Sequence, residues 1–150
     1  MRLWHYELLP YLPKSQLLAQ KSECDLIWKD IREGRKTNHV LINYIWKYAE
    51  PDLHLSIYYS HLEKEFKRRG FKFNCSKNAR VWMGDKLPKP FSYHQDNGYL
   101  MTCYFNLREK YMGGQKDFDS SIFKELYEFV DGKLDKLLNY VEAKIWKTKK

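Results

Sequence analysis

Glu23 is the acidic residue best placed for chemistry. It lies in the middle of a stretch with helical apolar spacing, one turn from Ala19 and from Ile27, so a rigid element fixes its carboxylate. Lys14, Lys21, Lys29, Arg32, Arg35 and Lys36 run along and just past that stretch, and His39, Asn43 and Tyr44 follow. Cations interleaved with aromatic rings neutralise phosphates and hold unstacked bases. The pattern points to nucleic acid. The five histidines point elsewhere less well. His54 and His61 share one face of a helix, but a metal-binding helix usually needs ligands at i and i+4 with a third nearby, so a solvated or half-buried helix face and no metal are expected. No G-x-S-x-G, no H-E-x-x-H and no phosphate-cradling glycine loop occurs, and Gly113-Gly114 follows a helix, as a turn would. Cys24, Cys75 and Cys103 fit neither a disulfide framework nor a metal knuckle and read as reduced thiols.

Composition bounds what can hold these residues. The 150 residues carry 27 Lys+Arg against 19 Asp+Glu, a net charge of +8, which suits a polyanionic partner. With 12 Tyr, 8 Phe and 5 Trp the chain is too aromatic for intrinsic disorder, and its size suits one core, so residues 1–150 are expected to form a single domain. No apolar run reaches membrane-spanning length, and MRLWHYELLP lacks a signal-peptide core, so a cytoplasmic location is expected.

The elements follow from their punctuation. Pro10 and Pro13 flank an extended lead-in, Ser15 is a candidate N-cap and Gly34 a stop. The spacing of Leu17, Leu18, Leu26, Ile27 and Ile31 predicts a buried stripe on the first helix. Residues 35–48 could be a short buried helix or a strand. A second helix is predicted from Glu50-Pro51-Asp52 to Lys67-Arg68-Arg69-Gly70, and residues 71–97 read as a long irregular connection. A third helix spans Gly98 to about Met112. A fourth begins after Asp119, with a stripe of Ile122, Leu126, Phe129, Val130, Leu134, Leu137, Val141 and Ile145, and Gly132 as a possible bend. The fold class is all-α: a compact single-domain helical fold of about four main helices. Part of the aromatic content, around Trp4, Tyr44 and Trp46, is available to face bases.

QLLAQKSECDLI (residues 16–27), with Glu23 at that distance from the chain start, resembles the first helix of the pyrimidine-dimer DNA glycosylases of the phage endonuclease V type. His39-Val40 with Asn43-Tyr44, then Glu65-Phe66-Lys67-Arg68-Arg69-Gly70-Phe71 and more weakly Leu107-Arg108-Glu109-Lys110, are similar in the same order. The opening MRLWHYELLPYLP resembles small bacterial proteins grouped with that family. The resemblance covers roughly the first 75 residues.

It implies an all-α DNA repair enzyme that flips a nucleotide and needs no cofactor: a glycosylase with AP lyase activity, acting as a monomer on double-stranded DNA containing a lesion or abasic site. In that family an N-terminal α-amine attacks C1′ and a helical glutamate assists; the matching glutamate is Glu23. An α-amine ordinarily titrates near 7.7–8.0 against about 10.4 for lysine, so a useful fraction is neutral in the cell. Arg2 is too large for the usual removal of Met1, which makes Met1 the amine and Arg2 its neighbour at the site. His5, Lys14, Gln16, Lys21, Arg35, Lys36, His39, Asn43 and Tyr44 are the candidate DNA contacts. Two other readings of the same residues stay open: a non-catalytic nucleic-acid-binding domain of the same fold, and a basic helical module that binds an acidic protein.

Overall fold

The first dozen residues are the centre of the molecule. Leu3, Leu8, Leu9 and Leu12 are fully buried, and burying each leucine stabilises the fold by about 1.5–3 kcal/mol, so the N-terminal segment is drawn inside. In the computed structural model, which describes residues 1–148 and side chains as far as Lys136, this segment runs without regular structure to His5 and then forms a 3-10 helix at Tyr6–Tyr11. The expected lead-in is therefore partly helical, with Pro10 inside the 3-10 turn.

Among the described residues four α-helices surround it: α1 (Lys14–Arg32), α2 (Pro51–Arg68), α3 (Asn97–Met112) and α4 (Ser120–Thr148). No strand occurs among the described residues, and the all-α class is what the structure has. Helix α1 packs on α2, α3 packs on α4, and the N-terminal 3-10 helix touches α2, α3 and α4. Residues 35–48 resolve into a turn and a second 3-10 helix, Asn43–Lys47, with Ile42 and Ile45 buried. The connection from 71 to 96 is irregular, as expected.

Helix ends fall close to their signals. Pro51 opens α2, and Gly70 closes it at φ +74°, a left-handed conformation that costs glycine least. Ser15 differs: it lies inside α1, which begins after Pro13, and its N–H donates to Asp117 Oδ2 at 2.7 Å. The α1 stripe also differs. Leu18 and Leu26 are 40% and 55% exposed, and the buried positions are Leu17, Gln20, Cys24, Ile27 and Trp28. Apolar counting missed Gln20 because its amide is satisfied inside the core. Helix α4 passes Gly132 unbroken, with Leu126 and Val130 buried; the side chains of Leu137, Val141 and Ile145 lie outside the described residues, as do Lys149 and Lys150. Cys24 and Cys103 are buried and Cys75 exposed, all as free thiols.

Candidate active site

Because the N-terminal segment is held by its leucines, residues 1–4 lie alongside α1, and Gln20 joins the two. Its Oε1 accepts from the Trp4 N–H at 2.6 Å, and its Nε2 donates to the Arg2 carbonyl at 2.8 Å and to Glu23 Oε2 at 3.0 Å. The Tyr58 hydroxyl lies 2.7 Å from the Trp4 carbonyl oxygen and 2.8 Å from Gln20 Oε1, sharing its proton between them. Exchanging the amide's oxygen and nitrogen would put donor against donor, so the network fixes the orientation of Gln20. Burial pushes the Tyr58 hydroxyl well above its ordinary pKa and keeps it neutral.

Glu23 is half-buried, and its Oε2 also accepts from the Arg2 backbone N–H at 3.3 Å. Among the described residues no donor reaches Oε1, which leaves that oxygen with accepting capacity. The Arg2 guanidinium stands 5.7 Å from the Trp4 ring centroid and 5.9 Å from that of Tyr99, a cation between two aromatic faces. The Tyr99 hydroxyl donates to the Leu3 carbonyl. Every residue from Arg2 to Trp4 is thus tied down by a side chain of α1, α2 or α3.

These residues wall a cleft of about 290 Å³ lined by Met1, Arg2, Trp4, Gln16, Glu23, Leu41, Asn106 and Lys110. It joins the chain terminus to a carboxylate, an amide and a lysine, the components that proton transfer and phosphate contact require. Asn106 and Lys110 come from α3, too far along the chain for local spacing to flag them; the similarity of Leu107-Arg108-Glu109-Lys110 touches Lys110, and nothing in the sequence marked Asn106. A larger cleft of about 480 Å³, lined in part by Tyr6, Tyr11, His61, Arg68 and Phe129, shares no residue with the first. Both of its acids are already paired, Glu65 with Arg68 and Arg69 and Glu7 with Lys133 at 2.8 Å, which leaves them little capacity for chemistry.

The remaining sequence candidates divide by position. Gln16 lines the Glu23 cleft and donates to Gln115 Oε1 at 3.2 Å. Lys21 is two residues from Glu23, hence about 160° around the helix. There it pairs with Asp25 at 2.7 Å and covers the Phe73 ring, while Lys14 lies over Phe71. Arg35 pairs with Asp30 and Glu33, and Lys36 is exposed. Asn43 accepts from the His39 N–H at 2.9 Å and donates to Asn38 Oδ1, bracing the turn between residues 38 and 43.

Four aromatic candidates are wholly or partly buried. His5 is 1% exposed, its Nδ1 accepts from the Glu7 N–H, and burial lowers its pKa to about 4. Tyr44 accepts from Gln95 Nε2 and stacks on His94, and burial raises its pKa. Trp4 is buried, and Trp46 is half-buried with its indole N–H donating to the Thr37 carbonyl. Of these rings Trp4 lines the cleft, while His5, Tyr44 and Trp46 commit polar atoms to hydrogen bonds within the fold.

Comparison with curated proteins and with solved structures gives no match. A family model described as pyrimidine dimer DNA glycosylase matches residues 1–79, more than half of the chain, and the matched span holds the buried N-terminal segment, Glu23, the turn after α1 and all of α2. By that match the chain belongs to the pyrimidine dimer DNA glycosylase family.

Proposed function

We propose that the chain is a DNA repair glycosylase with AP lyase activity, using the Met1 α-amine as nucleophile and Glu23 as its acid–base partner in the cleft between the N-terminus and α3. The observation that carries this is the shared cleft: Met1 and Glu23 line one cavity, with Glu23 Oε2 held by Arg2 N–H and Gln20. The neutral amine attacks C1′ of the damaged nucleotide, and the glycosidic bond breaks with its electron pair leaving on the base. Loss of the amine proton and opening of the sugar ring leave an iminium at C1′. A carboxylate in a cleft of low dielectric stabilises that cation better than water does. Abstraction of a C2′ proton then expels the 3′ phosphate by β-elimination, and water releases the amine.

The rest of the site follows from this reading. Lys110, Lys36 and Arg2 are phosphate contacts, Gln16 and Asn106 offer amides to the sugar and backbone, and His39 and Asn43 hold the adjoining turn. His5 and Tyr44 act as supports from inside the core. Residues 1–150 work as one domain and one chain on double-stranded DNA.

Borohydride trapping on a duplex with one abasic site tests it. A covalent adduct that peptide mapping assigns to Met1, reduced by about two orders of magnitude or more in Glu23→Gln, is the expected result. Salt-sensitive binding without any adduct would leave a non-catalytic DNA-binding domain, and an adduct on a lysine would refute the assignment of the amine.

A further inference from the structure

The turn after α1 carries an apolar tip that the fold does not use. Val40 is 82% exposed and Leu41 38% exposed, side by side, while the next residue, Ile42, is fully buried. The turn is braced from behind. His39 N–H donates to Asn43 Oδ1 at 2.9 Å, Leu41 N–H to His39 Nδ1 at 3.3 Å, and Ile42 N–H to the His39 carbonyl at 2.9 Å. Just before it, Thr37 donates to Asp30 and receives the Trp46 indole N–H on its carbonyl, so the loop is anchored to both α1 and the second 3-10 helix. A tip this firmly held presents its apolar side chains in a fixed place.

That place is the rim of the Glu23 cleft. Leu41 lines the cleft together with Met1, Glu23 and Lys110. Leu26, one turn beyond Glu23 on α1, is also exposed at 55% but does not line the cleft. Lys36 precedes the turn and is exposed, and Lys110 lines the same cleft as Leu41, so cations accompany the tip in the chain and in the cleft. Val81 and Met83 are exposed as well, but neither lines a cleft with Glu23. A rigid apolar tip with cations nearby, on the rim of a cleft read as taking a damaged nucleotide, has the chemistry of a side chain inserted between base pairs.

We propose that the Val40–Leu41 turn is a wedge that enters the base stack of double-stranded DNA next to the nucleotide extruded toward Glu23. It rests on the reading of the Glu23 cleft as the active site. Insertion replaces the stacking lost when the nucleotide leaves, so the wedge lowers the cost of flipping in a duplex and has nothing to do on an unpaired strand.

The test uses the full chain carrying Val40→Ser and Leu41→Ser together, at exposed positions where thermal melts should match the wild type. A duplex with a non-cleavable abasic analogue and a neighbouring 2-aminopurine reports unstacking by its fluorescence. The wild type should raise that fluorescence and the double variant should not. On cleavable abasic DNA, the ratio of duplex to single-strand trapping rates should fall about tenfold in the variant, and Val40→Ile with Leu41→Met should restore it. A wild-type fluorescence rise in the serine variant, or equal loss on duplex and single strand, overturns the wedge. Absence of an adduct with the wild type on either substrate would instead sink the active-site reading, while the fluorescence comparison still decides the wedge.

Discussion

Gln20 makes its hydrogen bonds with one buried amide, and each joins a different part of the site: the Trp4 N–H, the Arg2 carbonyl, Glu23 Oε2 and the Tyr58 hydroxyl. Truncating it removes both partners of the N-terminal segment at once and leaves the Trp4 N–H unsatisfied at a buried position. Such an orphan costs about 1–3 kcal/mol, and the carbonyl of Arg2 adds to it. Gln20→Ala should therefore destabilise the fold by about 2–4 kcal/mol in urea titration and also slow borohydride trapping, because Glu23 loses the donor that holds Oε2. Gln20→Glu separates the two effects: the shape stays, but a second carboxylate faces Glu23, so trapping should suffer more than its stability loss alone would explain. His5 supplies a pH signature of the same region. Burial lowers its folded pKa from 6.5 to about 4, so between those values the unfolded chain binds a proton that the folded chain does not. Its contribution is complete above pH 6.5 and is lost as pH falls through about 4, and a His5→Gln variant should show a shallower fall of melting temperature across that window. If both proteins lose stability equally there, His5 is not the group responsible.

At the scale of elements, α1 is positioned by a residue from the far half of the chain. The Ser15 N–H at the start of α1 is one of the donors that a helix cannot satisfy internally, and Asp117 Oδ2 accepts it. The Asp117 carboxyl is held down at about pKa 2, first by Gln115 and then by Ser15, so it stays charged through the physiological range. Asp117→Ala should cost about 1 kcal/mol, like loss of any N-terminal cap, and a chemical denaturation series should show it without changing the order of activities among site variants. This contact also explains what was readable in the sequence. Pro51, Gly70 and Asp119 punctuate helices through short-range physics, so α2 and the start of α4 were legible to within a residue or two. Ser15 has the composition of a cap, but the cap arrives from Asp117, and no local pattern reports that. The α1 stripe held at Leu17 and Ile27 and missed at Leu18 and Leu26 for a related reason: leucines look like core by type, while Gln20 enters the core because Tyr58 and Trp4 await it there. Glu23 stood out in the sequence because helical spacing alone sets it on a rigid element, whereas Asn106 and Lys110 reach the cleft only through the packing of α3.

Over the whole molecule, the charge of +8 divides between structure and availability in a way that composition hides. Lys21 is paired with Asp25, Arg35 with Asp30 and Glu33, Arg68 and Arg69 with Glu65, and Arg80 with Asp52. The run of cations along α1 thus supplies less to a partner than its length suggests, and Lys21 in addition lies about 160° around the helix from Glu23. Lys110, in the wall of the cleft, and Lys36, exposed at the start of the turn, are better placed for a phosphate backbone drawn toward Glu23. Duplex DNA binding releases counterions in proportion to the phosphates neutralised, so the logarithm of the binding constant falls linearly with the logarithm of salt, by about 0.9 per contact. Lys110→Ala should reduce that slope by about 0.9 and weaken binding alike on damaged and undamaged duplex, since a phosphate contact carries no information about the lesion. Lys21→Ala should leave the slope where it was, with at most the small stability change of a lost i,i+4 ion pair. Fluorescence anisotropy across a salt series distinguishes the two directly. A slope that drops for Lys21→Ala and holds for Lys110→Ala would move the DNA to the opposite flank of α1, away from the cleft, and with it would go the case for Glu23.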